Sequence, residues 1–223
     1  MTAKLFLQAI GKFLAGLVLV GLLLFLPAGT FAFPHAWLFI GILFVPMFIA
    51  GLVMMARNPE LLKKRLNAKE DEQEQKAVVA LSGVMFLSAF IVAGLNFRFS
   101  WIVLPMWAAY IGAGVFLAGY VMYAEVLREN TYLSRTIEVQ ENQKVIDTGL
   151  YGVVRHPMYS ATLIMFLSMG VVLGSPISFA ITLLYIPIIA KRMKNEEKVL
   201  EDGLDGYREY RKKVKYRVIP FIW

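Results

Sequence analysis

Arg155, His156 and Tyr159 fall within five residues of one another, around Pro157 and Met158, immediately before a long apolar stretch. Further along, Glu196 and Glu197 stand side by side and are followed by Tyr207 and Arg217. These side chains are suited to gripping a ligand: carboxylates accept hydrogen bonds, guanidinium groups pair with carboxylates in bidentate fashion, and tyrosine faces attract cations. With no cysteine and two histidines, the chain has no disulfide, no thiol nucleophile and too few imidazoles for a histidine-built zinc site. No metal centre is expected.

The surroundings of these residues are those of a membrane protein. Hydrophobic residues make up 58% of the 223, charged residues only 17%, and the mean hydropathy is +0.61, too apolar for a soluble domain of this size. The net charge of +7 fits basic residues bordering apolar spans, which answer to membrane orientation and anionic headgroups, and no nucleic-acid partner is expected.

Four runs are long enough to cross a bilayer: 13–33, 36–56, 77–95 and 101–124. Phe33-Pro34-His35 separates the first pair, with His35 read as an interfacial residue, and Asn96 to Ser100 forms a tight joint in the second pair. The first run lacks a small-residue cleavage signature and is read as retained. The last run, Met158 to Ala190, is interrupted by Gly174-Ser175-Pro176. Each half of about 15 residues would make roughly 23 Å of helix, short of a core about 30 Å thick. This reads as a membrane helical hairpin over 158–190, which returns Lys191-Arg192 to the same interface as Arg155-His156.

If the N-terminus, 57–76, 128–155 and the tail from Lys191 share one side, that side holds 22 of the 23 Lys and Arg and all 16 acidic residues. Only Arg98 lies opposite. Both termini and any active site are therefore expected on the cytoplasmic face. Asn58-Pro59 starts a basic amphipathic helix with Leu62 and Leu66 on one face, an interfacial connector within 57–76. Residues 136–147 alternate apolar and polar around Glu141-Asn142-Gln143, the pattern of a small β-hairpin or extended flap. In the tail, Tyr207, Tyr210 and Val214 share a helix face, and Trp223 suits an interface anchor. The division expected is a four-helix transmembrane region over 1–125 and a catalytic region over 126–223.

Taken in order, Gly149-Leu150-Tyr151, Arg155-His156-Pro157-Met158-Tyr159, the hairpin, Glu196-Glu197-Lys198-Val199-Leu200 and a Tyr-rich basic tail resemble the isoprenylcysteine carboxyl methyltransferase family and the wider phospholipid methyltransferase-like group. The resemblance covers residues 130–223; the earlier spans match in number and polarity. It implies an all-α integral membrane enzyme of four transmembrane helices, a membrane hairpin and a cytosolic cofactor-binding tail. The implied cofactor is S-adenosyl-L-methionine, and the implied partner is a lipophilic acceptor entering from the bilayer. On the matching positions, Tyr151, His156, Pro157 and Tyr159 would form the cofactor wall, and Glu196 or Glu197 would reach ribose or amino group. Gln140 and Asn130 are looser correspondences, and Tyr207 would add an aromatic face. Arg217 or Arg155 would orient a carboxylate acceptor as catalytic groups.

Two departures, Leu150 where the family often has proline and Ser160-Ala161 where it often has glycine, are small in volume. The short spacing from Glu197 to Tyr207 suggests a bacterial branch, hence an inner-membrane location and an open choice of acceptor. Methyl transfer from a sulfonium is an in-line displacement that rests on alignment and desolvation, consistent with a site lacking nucleophile and metal. Two other classes fit the same helices: an NADPH-dependent reductase like the membrane sterol reductases, and a non-enzymatic membrane scaffold.

Overall fold

The computed structural model describes residues 3–66, 73–133, 137 and 139–223. The helices are α1 (Ala3–Ala28), α2 (Pro34–Arg57), α3 (Pro59–Leu66), α4 (Gln73–Phe99), α5 (Met106–Glu129), α6 (Pro157–Val172), α7 (Pro176–Thr182), α8 (Tyr185–Gly203) and α9 (Tyr207–Lys213), with a single 3-10 turn at Gly149–Gly152. No strand occurs among the described residues. Five stretches are long and apolar enough to span a bilayer: α1, α2, α4, α5 and the run Pro176–Gly203. The protein is an integral membrane protein.

The helices end where the sequence provides a reason. Pro34, Pro59, Pro157 and Pro176 each open a helix, a place where the missing N–H costs nothing. The Asn58 Oδ1 accepts from the Leu61 N–H at 3.1 Å, capping α3, and the Ser175 Oγ accepts from the Ser178 N–H at 3.1 Å, capping α7. In α3 the buried pair is Leu61 and Leu62; Leu66 is only half-buried, so the apolar face is turned from the expected one.

Three expectations are corrected. The joint placed at Asn96 to Ser100 is mostly helix, because α4 runs through Phe99 and the connection is 100–105 instead. The second half of the hairpin is two helices, α7 and α8, broken at Leu183-Leu184. Pro187 contributes: it has no N–H for the Leu183 carbonyl, so one helical bond is missing at the break. His35 is buried at 5% exposure, where its Nε2 lies 3.1 Å from the Leu104 carbonyl.

His35 belongs to a knot on the far face. The Leu104 N–H donates to the Gly174 carbonyl at 2.9 Å, and a Cβ on Gly174 would fall 2.7 Å from the His35 ring. All three far-side connections meet there. The hairpin closes tightly because Gly170 lacks a side chain; a Cβ would lie 2.3 Å from the Phe179 nitrogen. The main core joins α1, α2, α4, α5 and α6 around Phe33, Phe39, Phe116 and Met169. A second cluster, Met85, Tyr159, Leu163, Tyr185, Ile189 and Met193, fixes α4, α6 and α8 below the polar end of the molecule.

Candidate functional site

Four segments converge at the polar end: the turn 149–156, the end of α8, α9 and the chain after it. Pro157 begins α6, and the restriction it places on His156 keeps that residue out of helical conformation, at φ −125° and ψ 62°. The chain 214–218 then pairs alongside. The Arg155 N–H donates to the Tyr216 carbonyl at 2.9 Å, the His156 N–H to the Arg217 carbonyl at 2.8 Å, and the Ser160 hydroxyl to the Val218 carbonyl at 2.6 Å. The Tyr210 hydroxyl donates to the Tyr151 carbonyl at 2.8 Å, fastening α9 to the turn.

Glu197 is the centre of a buried charge cluster, itself only 3% exposed. Arg155 donates from Nε to Oε1 at 2.8 Å, and its Nη2 lies 2.8 Å from the same oxygen. Arg217 donates from Nε and Nη2 to Oε2 at 3.1 and 2.9 Å, and His156 Nε2 stands 3.3 Å from Oε1. Arg155 also donates from Nη1 to the Val214 and Lys215 carbonyls, both at 2.8 Å. Two guanidinium groups, an imidazole and one carboxylate thus tie the hairpin to the tail.

Beside this cluster lies a narrow cleft with a cavity volume of about 100 Å³, open to solvent at its mouth. Arg192, Glu196 and Leu200, each four residues from the last, form the α8 face of the cleft. The turn contributes Tyr151 and His156, and α6 contributes Pro157 and Tyr159. Tyr207 and Tyr210 come from α9, and Gln143, Val145 and Ile146 come from the flap.

The flap is an extended segment with a turn at Glu141-Asn142, and no strand pairing occurs among its described residues; Thr136 and Glu138 of the expected hairpin lie outside them. It is tied down at both ends. Lys64 Nζ of α3 donates to Gln140 Oε1 at 2.6 Å, and Lys213 Nζ donates to Asp147 Oδ2 at 2.7 Å. The bond from Lys213 holds the Asp147 carboxyl below its ordinary range. Behind the flap, Glu129 accepts from the Thr148 hydroxyl at 2.9 Å, and Gly149, at φ +49°, passes so close that a Cβ would sit 2.2 Å from Glu129 Oε1. Asn130 Nδ2 donates to the Tyr151 hydroxyl at 2.9 Å, setting that ring in the wall.

Within the cleft, the Tyr159 hydroxyl donates to Glu196 Oε2 and accepts from Arg192 Nε at 3.0 Å, while its ring stacks on His156 with centroids 5.5 Å apart. Glu196 Oε1 is 4.0 Å from His156 Nδ1. Tyr207 differs from its neighbours: its hydroxyl is buried and has no hydrogen-bond partner among the described residues. Burial first, then the charges of Glu197 and Glu196, hold its pKa far above the ordinary phenol value, so it stays a neutral donor.

Of the residues the sequence singled out, Tyr151, Arg155, His156, Pro157, Tyr159, Glu196 and Tyr207 line the cleft, and Asn130 does too. Glu197, Arg217 and Gln140 stand behind that lining, engaged with one another's neighbours as described. Arg192, Tyr210, Leu200 and Leu204 also line it and were not singled out as site residues. Their signal was available in the four-residue spacing from Arg192 through Glu196 to Leu200.

Residues 107–204, just under half of the chain, match the family model described as phospholipid methyltransferase. The chain also superimposes on the solved structure of the eukaryotic intramembrane Ras methyltransferase ICMT (isoprenylcysteine carboxyl methyltransferase), with a TM-score of 0.59 and 22% identity, over 96% of this chain and 77% of that one. The chain shares its fold with that methyltransferase. Among curated proteins, the Delta(14)-sterol reductase TM7SF2 of Mus musculus is 28% identical over 93 residues, 40% of this chain. The match takes in 22% of that reductase, so this chain spans only about a fifth of its length. The expected resemblance to membrane methyltransferases therefore holds at the level of fold and family model.

Proposed function

We propose that the chain transfers a methyl group from S-adenosyl-L-methionine to a lipophilic acceptor held in the membrane, in a reaction most like the carboxyl O-methylation of isoprenylcysteine. The observation that carries this reading is the buried, unpartnered Tyr207 hydroxyl in the wall of a cleft that also presents the Glu196 carboxylate and the rings of Tyr151 and Tyr159. A buried hydroxyl without a partner is costly unless a ligand completes it.

The residues present suit that cofactor. Tyr151, Tyr159 and Tyr207 would face a cation, an interaction worth about 0.5–2 kcal/mol. Glu196 would accept hydrogen bonds from hydroxyl or ammonium groups, and Val145, Ile146, Leu200 and Leu204 supply apolar surface for a ring system. When bound, the cofactor supplies an electrophilic methyl on a sulfonium. The chain's own part is to align the two reactants and exclude water, which the flap does by lying over the cleft. Glu197 acts through Arg155 and Arg217 as a positioning residue, holding hairpin and tail in register. We assign the cleft to the cytoplasmic face on the balance of basic residues, and the chain to a bacterial inner membrane on the short spacing from Glu197 to Tyr207.

The test is label transfer. Purified protein in nanodiscs, given methyl-labelled S-adenosylmethionine and a membrane lipid extract, is expected to move label into the organic phase. Label that stays aqueous, with NADPH raising the thermal midpoint instead, would favour the reductase reading that the partial match to the sterol reductase supports. Binding of neither would leave a scaffold.

A further inference from the structure

Residues 216–223 form a closed loop beside the cleft, and three of its apolar side chains point outward. Phe221 is 86% exposed, Ile222 80% and Ile219 42%. The loop has a fixed shape. The Val218 and Ile219 N–H groups both donate to the Trp223 carbonyl, at 2.9 and 2.8 Å, and the Trp223 N–H returns to the Ile219 carbonyl at 3.0 Å. Phe221 itself is held at φ +65°, a conformation that a bulky residue seldom adopts, and its ring lies 5.4 Å from that of Tyr216.

The loop sits at the level where the apolar helices begin. The Val218 carbonyl accepts from the hydroxyl of Ser160 in the first turn of α6. Val218 and Trp223 pack on the cluster of Met85, Leu163, Ile189 and Met193, drawn from α4, α6 and α8. The segment leading into it is basic, with Arg208, Lys212 and Lys215 exposed and Arg211 and Lys213, also exposed, paired with Glu201 and Asp147.

We propose that Ile219, Phe221 and Ile222 form a wedge that enters the lipid leaflet on the cleft side, with the basic residues of α9 resting on anionic headgroups. Bilayer lipid is the occupant the observations favour. A cluster of large apolar residues facing water is a liability, whereas the same cluster flanked by lysine and arginine is the signature of interfacial insertion. The loop packs against membrane-spanning helices through Val218 and Trp223, so its exposed apolar side lies next to their lipid-facing surface. Its consequence is mechanical: Arg217, one residue before Val218, bonds Glu197, so insertion of the wedge holds the tail side of the cleft at headgroup depth. This inference does not depend on the reaction assigned to the cleft.

Because the chain has no cysteine, Phe221→Cys accepts a single nitroxide label on an exposed position. The full chain, reconstituted in mixed zwitterionic and anionic phospholipid vesicles, is probed by collision with oxygen and with a water-soluble nickel chelate, using Asp205→Cys, an exposed position outside the basic set, as the aqueous reference. The expected result is an oxygen-to-nickel ratio at 221 severalfold above that at 205. A ratio equal to that at 205 would overturn the proposal, and so would a label shielded from both quenchers, which would place a second chain on the loop. Ile222→Cys serves as the second variant if the first fails to keep the wild-type thermal midpoint.

Discussion

Arg155 and Glu197, forty-two positions apart, meet in the protein interior through contacts of 2.8 Å from both Nε and Nη2 to a single carboxylate oxygen. Neither residue is more than 7% exposed. The pair fastens the lip of the hairpin to the end of α8, and Arg217 adds the tail to the same carboxylate.

Removing one member of such a cluster leaves buried charge uncompensated. Glu197→Ala is therefore expected to destabilise the fold by about 3–5 kcal/mol, and the double variant Arg155→Met with Glu197→Met to recover part of that loss. Thermal unfolding in detergent reads both. An unchanged midpoint in Glu197→Ala would mean that the cluster does not hold hairpin and tail together.

Tyr207 behaves in the opposite way. Its hydroxyl has no partner among the described residues, so Tyr207→Phe is expected to leave the thermal midpoint unchanged or slightly raised. Affinity for S-adenosylhomocysteine should fall up to about tenfold, the equivalent of one hydrogen bond. Because the phenol's pKa is raised, the hydroxyl stays protonated as pH rises, and its contribution is expected to be flat from about pH 6 to 9. A titration that shows the wild-type advantage fading within that window would contradict the assignment.

The flap is fastened by Lys64 to Gln140 and Lys213 to Asp147, and by bonds of Tyr132 to Gln140 and Asn142. Lys64→Met removes the first and is expected to speed dissociation of bound S-adenosylhomocysteine by about three- to tenfold, with less effect on association. Stopped-flow displacement measures it. Asp147 has a depressed pKa, so its bond is present above the ordinary carboxylate pKa and is lost as pH falls through the lowered value; at neutral pH the strap is fully formed.

The sequence made the membrane spans and the hairpin turn legible because apolar run length and Gly174-Ser175-Pro176 are local signals. The same is true of the Asn58 cap and the shared face of Tyr207, Tyr210 and Val214, which the structure packs together. The division of labour between Glu196 and Glu197 was not legible. Adjacent helix residues point about 100° apart, and which one meets the cleft depends on how α8 is turned against α6 and the tail. The break at Leu183-Leu184 escaped notice because the run stays apolar across it, although Pro187 marked the place. His35 was misplaced for a similar reason: its burial is created by Leu104 and Gly174, both distant in sequence.

The central claim is that the cleft beneath the flap binds S-adenosyl-L-methionine through Glu196, Tyr207 and the wall around His156. It is tested most directly by calorimetric titration of the purified full chain with S-adenosylhomocysteine, with His156→Ala and Glu196→Gln in parallel. The account predicts micromolar binding by the wild type and weakening by at least about tenfold in each variant that retains its thermal midpoint, as expected for loss of a charged hydrogen-bond partner. Wild-type protein that is folded yet binds no S-adenosylhomocysteine, or variants that bind as tightly as wild type, would contradict it.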